Sequence, residues 1–240
     1  MIFAAGLGSR LKPWTDEHPK ALALVNGKSL LQRNIEYLQL FDIRDVIVNV
    51  HHFSGQIVEA ISANKGWGSR ISISDESDRV LETGGGLKKA GWYFDGDPFL
   101  VMNVDILTDL DLNQLIRYHR ENRPLATLAI SARETSRYFL FTPQRDLCGW
   151  INTRSGEEKG PVHHFPEDKR RIVLQKAFSG IHLIEPAIFS RISREGNFSI
   201  VDLYLELCGD FVIKGFEHDY SRFIDVGKPA ALARAETLYP

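Results

Sequence analysis

The run PFLVMNV, residues 98–104, is apolar at every position except Asn103. A strand with one face in water alternates apolar and polar residues. A run without alternation therefore belongs to a strand covered on both faces, the habit of parallel sheets. Architectures that leave one sheet face in solvent are thereby disfavoured. The rest of the first half agrees with this constraint. Predicted strands at 2–5, 45–50 (DVIVNV), 70–74 (RISIS) and 125–132 (LATLAISA) alternate with predicted helices at 29–41, through Ile57 and Ile61, and at 111–122. This order predicts an α/β fold with a Rossmann-like, doubly wound sheet.

The second half is less regular. Strands are predicted at 138–142, 147–152, 178–184, 211–216 and 222–226, and helices at 186–192, 199–208 and 228–238. A polar stretch, 153–171, interrupts them. No repeat, low-complexity segment or linker is visible, so one domain carrying a smaller lid is expected. At 240 residues the chain has room for that arrangement.

A hydrophobic content of 43% and a charged content of 25% are those of an ordinary globular protein. A formal net charge of −2 supplies no footprint for nucleic acid or a membrane surface. Lys169, Arg170 and Arg171 stand beside Glu167 and Asp168 and read as a solvated turn. Cys148 and Cys208 lack CxxC spacing, which argues against a disulfide framework or a zinc site and for free thiols in a reducing compartment. The paired histidines at 51–52 and 163–164 have no third ligand at a sensible spacing. No apolar run approaches the ~20 residues that span a bilayer. The opening MIFAA is too short for a signal peptide, so a cytoplasmic protein is expected.

The chemistry concentrates in GLGSRLKPWTDEHPK, residues 6–20, directly after the first predicted strand. A glycine-rich turn there can offer several backbone amides to one anion. The dinucleotide fingerprint GxGxxG fails because position 11 is Leu11, and the Walker pattern ending at Gly27-Lys28-Ser29 fails because its first glycine falls on Leu22. What remains is Gly6-x-Gly8-x-Arg10, Pro13-x-Thr15 and Pro19-Lys20. This pattern closely resembles the signature of the sugar-1-phosphate nucleotidyltransferases, which have a GT-A-like fold. The resemblance runs along essentially the whole chain and is most specific at the N-terminal end.

The resemblance implies that Ala4, Ala5, Gly6, Gly8 and Ser9 line a nucleoside triphosphate, with Arg10 and Lys20 as the catalytic cations. A leaving pyrophosphate gains charge, so fixed cations and amides must wait where it appears. Glu82-Thr83-Gly84-Gly85-Gly86 opens a predicted helix, and in the resembled family an equivalent segment approaches the nucleobase. The ETGGG form is similar to the N-acetylmuramate-1-phosphate uridylyltransferases. The G-T-A-G form, more frequent among mannose-1-phosphate guanylyltransferases, is absent. Asp105 follows the buried strand, at the carboxyl end where open α/β sheets bind ligands. The family's usual glycine before this aspartate is Val104 here. Asp225, in RFIDVGKP, completes the implied Mg²⁺ site with Asp105, two hard oxygen ligands that leave phosphate and water to fill the rest.

For the acceptor the resemblance offers Asn152, Lys176, Gly180 and Asp202, in a sugar-binding lid. On this division residues 1–132 form the nucleotide-binding core, 133–220 mainly the acceptor portion, and 221–240 the second metal aspartate and a closing helix. The implied reaction joins a nucleoside triphosphate and a sugar 1-phosphate into a nucleotide sugar and pyrophosphate. UTP with N-acetylmuramate 1-phosphate leads, and a GTP-using mannose-1-phosphate enzyme, a CTP-using phosphocholine enzyme and a non-catalytic nucleotide-sugar-binding regulator are alternatives. A monomer or small homo-oligomer is expected. The sequence stops soon after Asp225, so the hexapeptide-repeat acetyltransferase activity of some relatives is not expected.

Overall fold

The computed structural model describes residues 1–239. They group into two compact units. One comprises Met1–Tyr93, Met102–Leu110 and the chain from Ser221; the other comprises Phe94–Val101 and Asp111–Tyr220.

The first unit holds β1 (Ile2–Phe3), β2 (Leu24–Val25), β3 (Lys28–Ser29), α1 (Leu30–Gln39), β4 (Asp45–Val50), α2 (Ser54–Ala63), β5 (Arg70–Asp75), α3 (Glu82–Lys89), the end of β6 (Phe99–Asn103) and β7 (Ile106–Thr108). β14 (Phe223–Asp225) and α7 (Pro229–Leu238) complete it. β1 lies parallel between β4 and β6, with Ile2 opposite Val48 and Met102, and β4 pairs in parallel with β5. Val46 to Val50 are buried at five consecutive positions, as are Phe99 to Met102 at four. Burial without alternation is the property predicted from PFLVMNV. The crossover from β1 to β4 runs through α1, which Ser29 caps by accepting a hydrogen bond from the Gln32 amide at 3.1 Å. Its inner stripe of Leu30, Leu31, Ile35 and Leu38 is buried, with Asn34 among them.

The second unit contains α4 (Leu112–Asn122), β8 (Ala126–Ser131), β9 (Arg137–Phe141), β10 (Leu147–Asn152), β11 (Glu157–Lys159), α5 (Glu167–Arg170), β12 (Leu174–Ile184), α6 (Ile200–Leu207) and β13 (Ile213–Glu217). β8 lies between antiparallel β12 and parallel β13, and β9 between antiparallel β12 and β10. The whole is a mixed α/β fold with a mostly parallel central sheet.

Several boundaries differ from the sequence reading. β12 starts at Leu174, not 178, because its first residues pair with β9 and its later ones with β8. The helix predicted over 186–192 is a 3₁₀ turn, Pro186–Arg191, of which only Ile188 is buried. The polar stretch 153–171 folds into β11, a 3₁₀ turn and α5. It is held because Val162 and Phe165 pack on Leu140, Cys148 and Ile151. Two anchors scattered among charges give no periodic signal. The β2–β3 hairpin and β7 were not predicted either, since elements of two or three residues are too short to carry a pattern.

Candidate active site

The loop that leaves β1 is shaped by Gly8. Its φ of +62° is left-handed, a region that L side chains seldom adopt. A Cβ there would also stand 2.9 Å from Thr15 Cγ2 and 3.0 Å from Lys20 Cβ. The Gly8 carbonyl accepts from the Leu11 amide at 2.8 Å and from the Thr15 hydroxyl at 3.0 Å. The stretch 9–20 thereby folds back over Gly8. Gly6 faces open space, and Ser9 and Arg10 are exposed, whereas Ala4 and Ala5 are buried backbone at the strand end.

Lys20 Nζ donates to Asp105 Oδ2, and the two side chains are 11% and 15% exposed. Asp105 is reached through a well-satisfied backbone. Val104 N donates to Phe3 O at 3.0 Å, and Val104 O accepts from buried Asn34 Nδ2 at 2.8 Å. The valine in place of the family's glycine is 5% exposed and fits the core. Asp225 arrives from far along the chain because β14 runs antiparallel to β7, which sets it opposite Ile106. The Val226 amide then donates to Asp105 O at 2.8 Å. Arg10 is brought to the same place: the point where a Cβ on residue 227 would sit is 2.6 Å from Arg10 Nη2 and 2.7 Å from Asp225 Oδ1. Two cations and two carboxylates thus converge beside the glycine loop. Asp105 and Asp225 are hard oxygen donors of the kind that suits Mg²⁺, and with only two protein ligands the remaining positions fall to phosphate and water. Among the described residues no cluster of three or more His, Cys, Asp or Glu could hold a metal unaided.

The ETGGG stretch forms the first turns of α3. Glu82 starts it with a φ of +56°, and Leu81 at the N-cap supplies no side-chain hydrogen bond. Glu82 is exposed, Thr83 partly so, and Gly84, Gly85 and Gly86 are buried. Behind them lies a pair that sequence reasoning passed over, Asn49 and Glu76, 2% and 0% exposed. Asn49 Oδ1 accepts from the Ala4 amide at 2.7 Å, and Asn49 Nδ2 donates to Glu76 Oε1 at 2.8 Å. Burial pushes the Glu76 carboxyl above the usual carboxylate range, opposed by hydrogen bonds from Asn49 and the Leu81 amide. The available signal was Asn49 itself, one amide inside the apolar strand DVIVNV.

The acceptor candidates lie in the second unit and are less concentrated. Lys176 on β12 pairs with Glu217 at 3.2 Å and Asp219 at 3.9 Å. Gly180, at φ +71°, occupies the bulge where β12 shifts register against β8. Asp202 on the first turn of α6 accepts from Lys159 at 3.1 Å. Asn152 ends β10, and its Oδ1 accepts from the Arg154 amide at 3.1 Å, which shapes the turn into β11. Each of Lys176, Asp202 and Asn152 thus already has a protein partner.

A glycine loop leaving the carboxyl end of a central parallel strand, with paired cations and paired carboxylates beside it, fits the class of α/β enzymes that handle phosphate. The Nucleotidyl transferase family profile matches residues 1–239, and the chain belongs to that family. It is 29% identical to the N-acetylmuramate alpha-1-phosphate uridylyltransferase of Caulobacter vibrioides over 98% of this chain and 94% of that one. It is 28% identical to the mannose-1-phosphate guanylyltransferase catalytic subunit beta of Xenopus tropicalis, covering 80% of this chain but 51% of the relative. Among solved structures, HddC from Yersinia pseudotuberculosis complexed with GMP-PN shares the fold, with a TM-score of 0.76 at 21% identity over 100% of this chain and 98% of the other. No helix among the described residues is long and apolar enough to cross a membrane.

Proposed function

We propose that this nucleotidyltransferase joins UTP to N-acetylmuramate 1-phosphate with release of pyrophosphate. The observation that carries the general reaction is the convergence of Arg10, Lys20, Asp105 and Asp225 beside the Gly8 turn. The substrate pair is supported by the ETGGG helix start and by the likeness to the Caulobacter enzyme along nearly the full length of both chains.

The acceptor phosphate has a second pKa near about 6, so at neutral pH it is largely dianionic and needs no general base. Catalysis then reduces to alignment and charge neutralisation. The amides around Gly6 and Gly8 receive phosphate oxygens, and Arg10 and Lys20 stabilise the charge that gathers on the departing pyrophosphate. Asp105 and Asp225 would hold Mg²⁺, which when bound supplies positive charge to the reacting phosphates. Lys176, Asp202, Asn152 and the Gly180 bulge are proposed to face the sugar phosphate.

The test is a matrix of UTP, GTP, CTP and dTTP against N-acetylmuramate, N-acetylglucosamine, glucose and mannose 1-phosphates, following pyrophosphate with Mg²⁺ present. The UTP/N-acetylmuramate 1-phosphate pair is expected to give the highest kcat/KM by at least tenfold. A preference for GTP with mannose 1-phosphate, the reading favoured by the Xenopus relative, would replace the substrate assignment and leave the reaction intact. No pyrophosphate from any pair would remove the reaction itself.

A further inference from the structure

Both glycine-rich segments of the proposed nucleotide site lean on one buried polar pair. The Ala4 amide is an unambiguous donor, which fixes the Asn49 side chain with Oδ1 toward it and leaves Nδ2 for Glu76. Ala4 is the last but one residue before Gly6, so this bond sets where the phosphate loop leaves the sheet. On the other side, a Cβ at position 86 would stand 2.6 Å from Glu76 Oε1 and 2.9 Å from Asn49 Nδ2. Only a residue without a side chain lets the first turns of α3 approach so closely. Glu76 itself is tethered to the sheet, its amide donating to Val50 O at 2.7 Å.

We propose that Asn49 and Glu76 are positioning residues that lock the phosphate loop and the start of α3 into one nucleotide-binding geometry. The relay runs from the Ala4 amide through the Asn49 carboxamide to the Glu76 carboxyl, against which Gly86 is pressed. Neither side chain touches substrate; both are sealed from solvent. Their effect falls on the nucleotide, because the two segments they join are the nucleotide's, and leaves the acceptor alone. A hydrogen-bonded acceptor oxygen is what position 76 must supply, so an amide can stand in for the carboxyl. A break in the relay leaves a buried amide or carbonyl unsatisfied and frees the two segments to move independently.

This inference rests on the proposed nucleotide site, and its test separates the two. Titration calorimetry of UTP and GTP into the full chain, with Mg²⁺, is compared for wild type, Glu76→Ala, Glu76→Gln, Asn49→Asp and Gly86→Ala. KM for the acceptor and the melting temperature are measured alongside. Glu76→Ala, Asn49→Asp and Gly86→Ala are expected to weaken the tighter nucleotide at least tenfold while acceptor KM stays within about twofold. Glu76→Gln is expected to recover affinity to within about threefold of wild type. Should Glu76→Ala fail to melt cooperatively, Gly86→Ala carries the comparison, since it removes neither polar group. Folded Gly86→Ala and Asn49→Asp proteins that bind nucleotide like wild type overturn the relay alone, as does a parallel rise in both KM values. Wild-type protein that binds neither nucleotide overturns the functional reading and the relay's role together.

Discussion

Asp105 and Lys20 pair in the candidate site, yet both side chains keep a window to solvent. The carboxylate therefore contributes little packing that an amide of the same shape would lose. Asp105→Asn is expected to lower kcat by at least a hundredfold while the melting temperature changes by no more than about 4 °C, roughly what a shift of about 1 kcal/mol produces in a chain of this size. Steady-state rates and calorimetry on one preparation decide it. An active variant would remove Asp105 from metal binding; a collapsed one would make its role structural. The cysteines, Cys148 buried and Cys208 half-buried, offer an independent check on the packing. Burial raises the thiol of Cys148 to about 12 and that of Cys208 to about 11, so almost no thiolate exists at pH 8. Both are expected to resist a disulfide-exchange reagent for hours in the native protein and to react within minutes in urea. Rapid native labelling would contradict the burial of the two thiols.

At the scale of elements, function depends on what strands bring together. β14 pairs with β7, and that ladder puts Asp225 beside Asp105. β12 changes partners along its length, from β9 up to Lys176 to β8 from Ala177, and a bulge at Gly180 then shifts its register against β8. Lys176 precedes that bulge and leans on Glu217 and Asp219, at and just beyond the end of β13. If the lysine serves the acceptor, Lys176→Met raises acceptor KM about tenfold or more and leaves nucleotide affinity unchanged. If its task is only to neutralise the two carboxylates, the melting temperature falls and both KM values stay put. The elements were legible in unequal measure. DVIVNV and LCGWIN match β4 and β10 residue for residue, because six residues bounded by polar turns give period and length together. β11 and α5 were not legible, since charged residues formed them and two distant apolar anchors held them.

At the scale of the molecule, the second unit carries three buried histidines. His119, His182 and His218 are 1%, 1% and 4% exposed. His119 lies between the Thr127 hydroxyl at 2.8 Å and Glu185 at 3.1 Å, and His218 against the Ser179 hydroxyl at 2.7 Å. Burial depresses all three, His182 to about 3. Between those lowered values and the ordinary 6.5 the unfolded chain binds protons that the fold refuses. Stability therefore rises with pH through that window, is fully present above about 6.5, and is lost as pH falls, each group contributing a slope of up to about 1.4 kcal/mol per pH unit. The urea midpoint is expected to climb from pH 5 to pH 6.5 and to level off near neutrality. A flat midpoint over that range would mean that these imidazoles are charged in the fold.

The sequence by itself determined the parallel α/β core and singled out the glycine loop and the four charged residues proposed to serve the reaction. Those properties reside in local composition, in the unbroken burial of PFLVMNV and in the fixed spacing of Gly6, Gly8, Arg10 and Lys20. Only the tertiary structure decided that Asp225 stands beside Asp105, because a β-ladder between distant segments leaves no mark on either one. The same holds for Asn49 and Glu76. One amide in an apolar strand and one acid after another carry no shared signal until the parallel register of β4 and β5, and a glycine on α3, close them around each other.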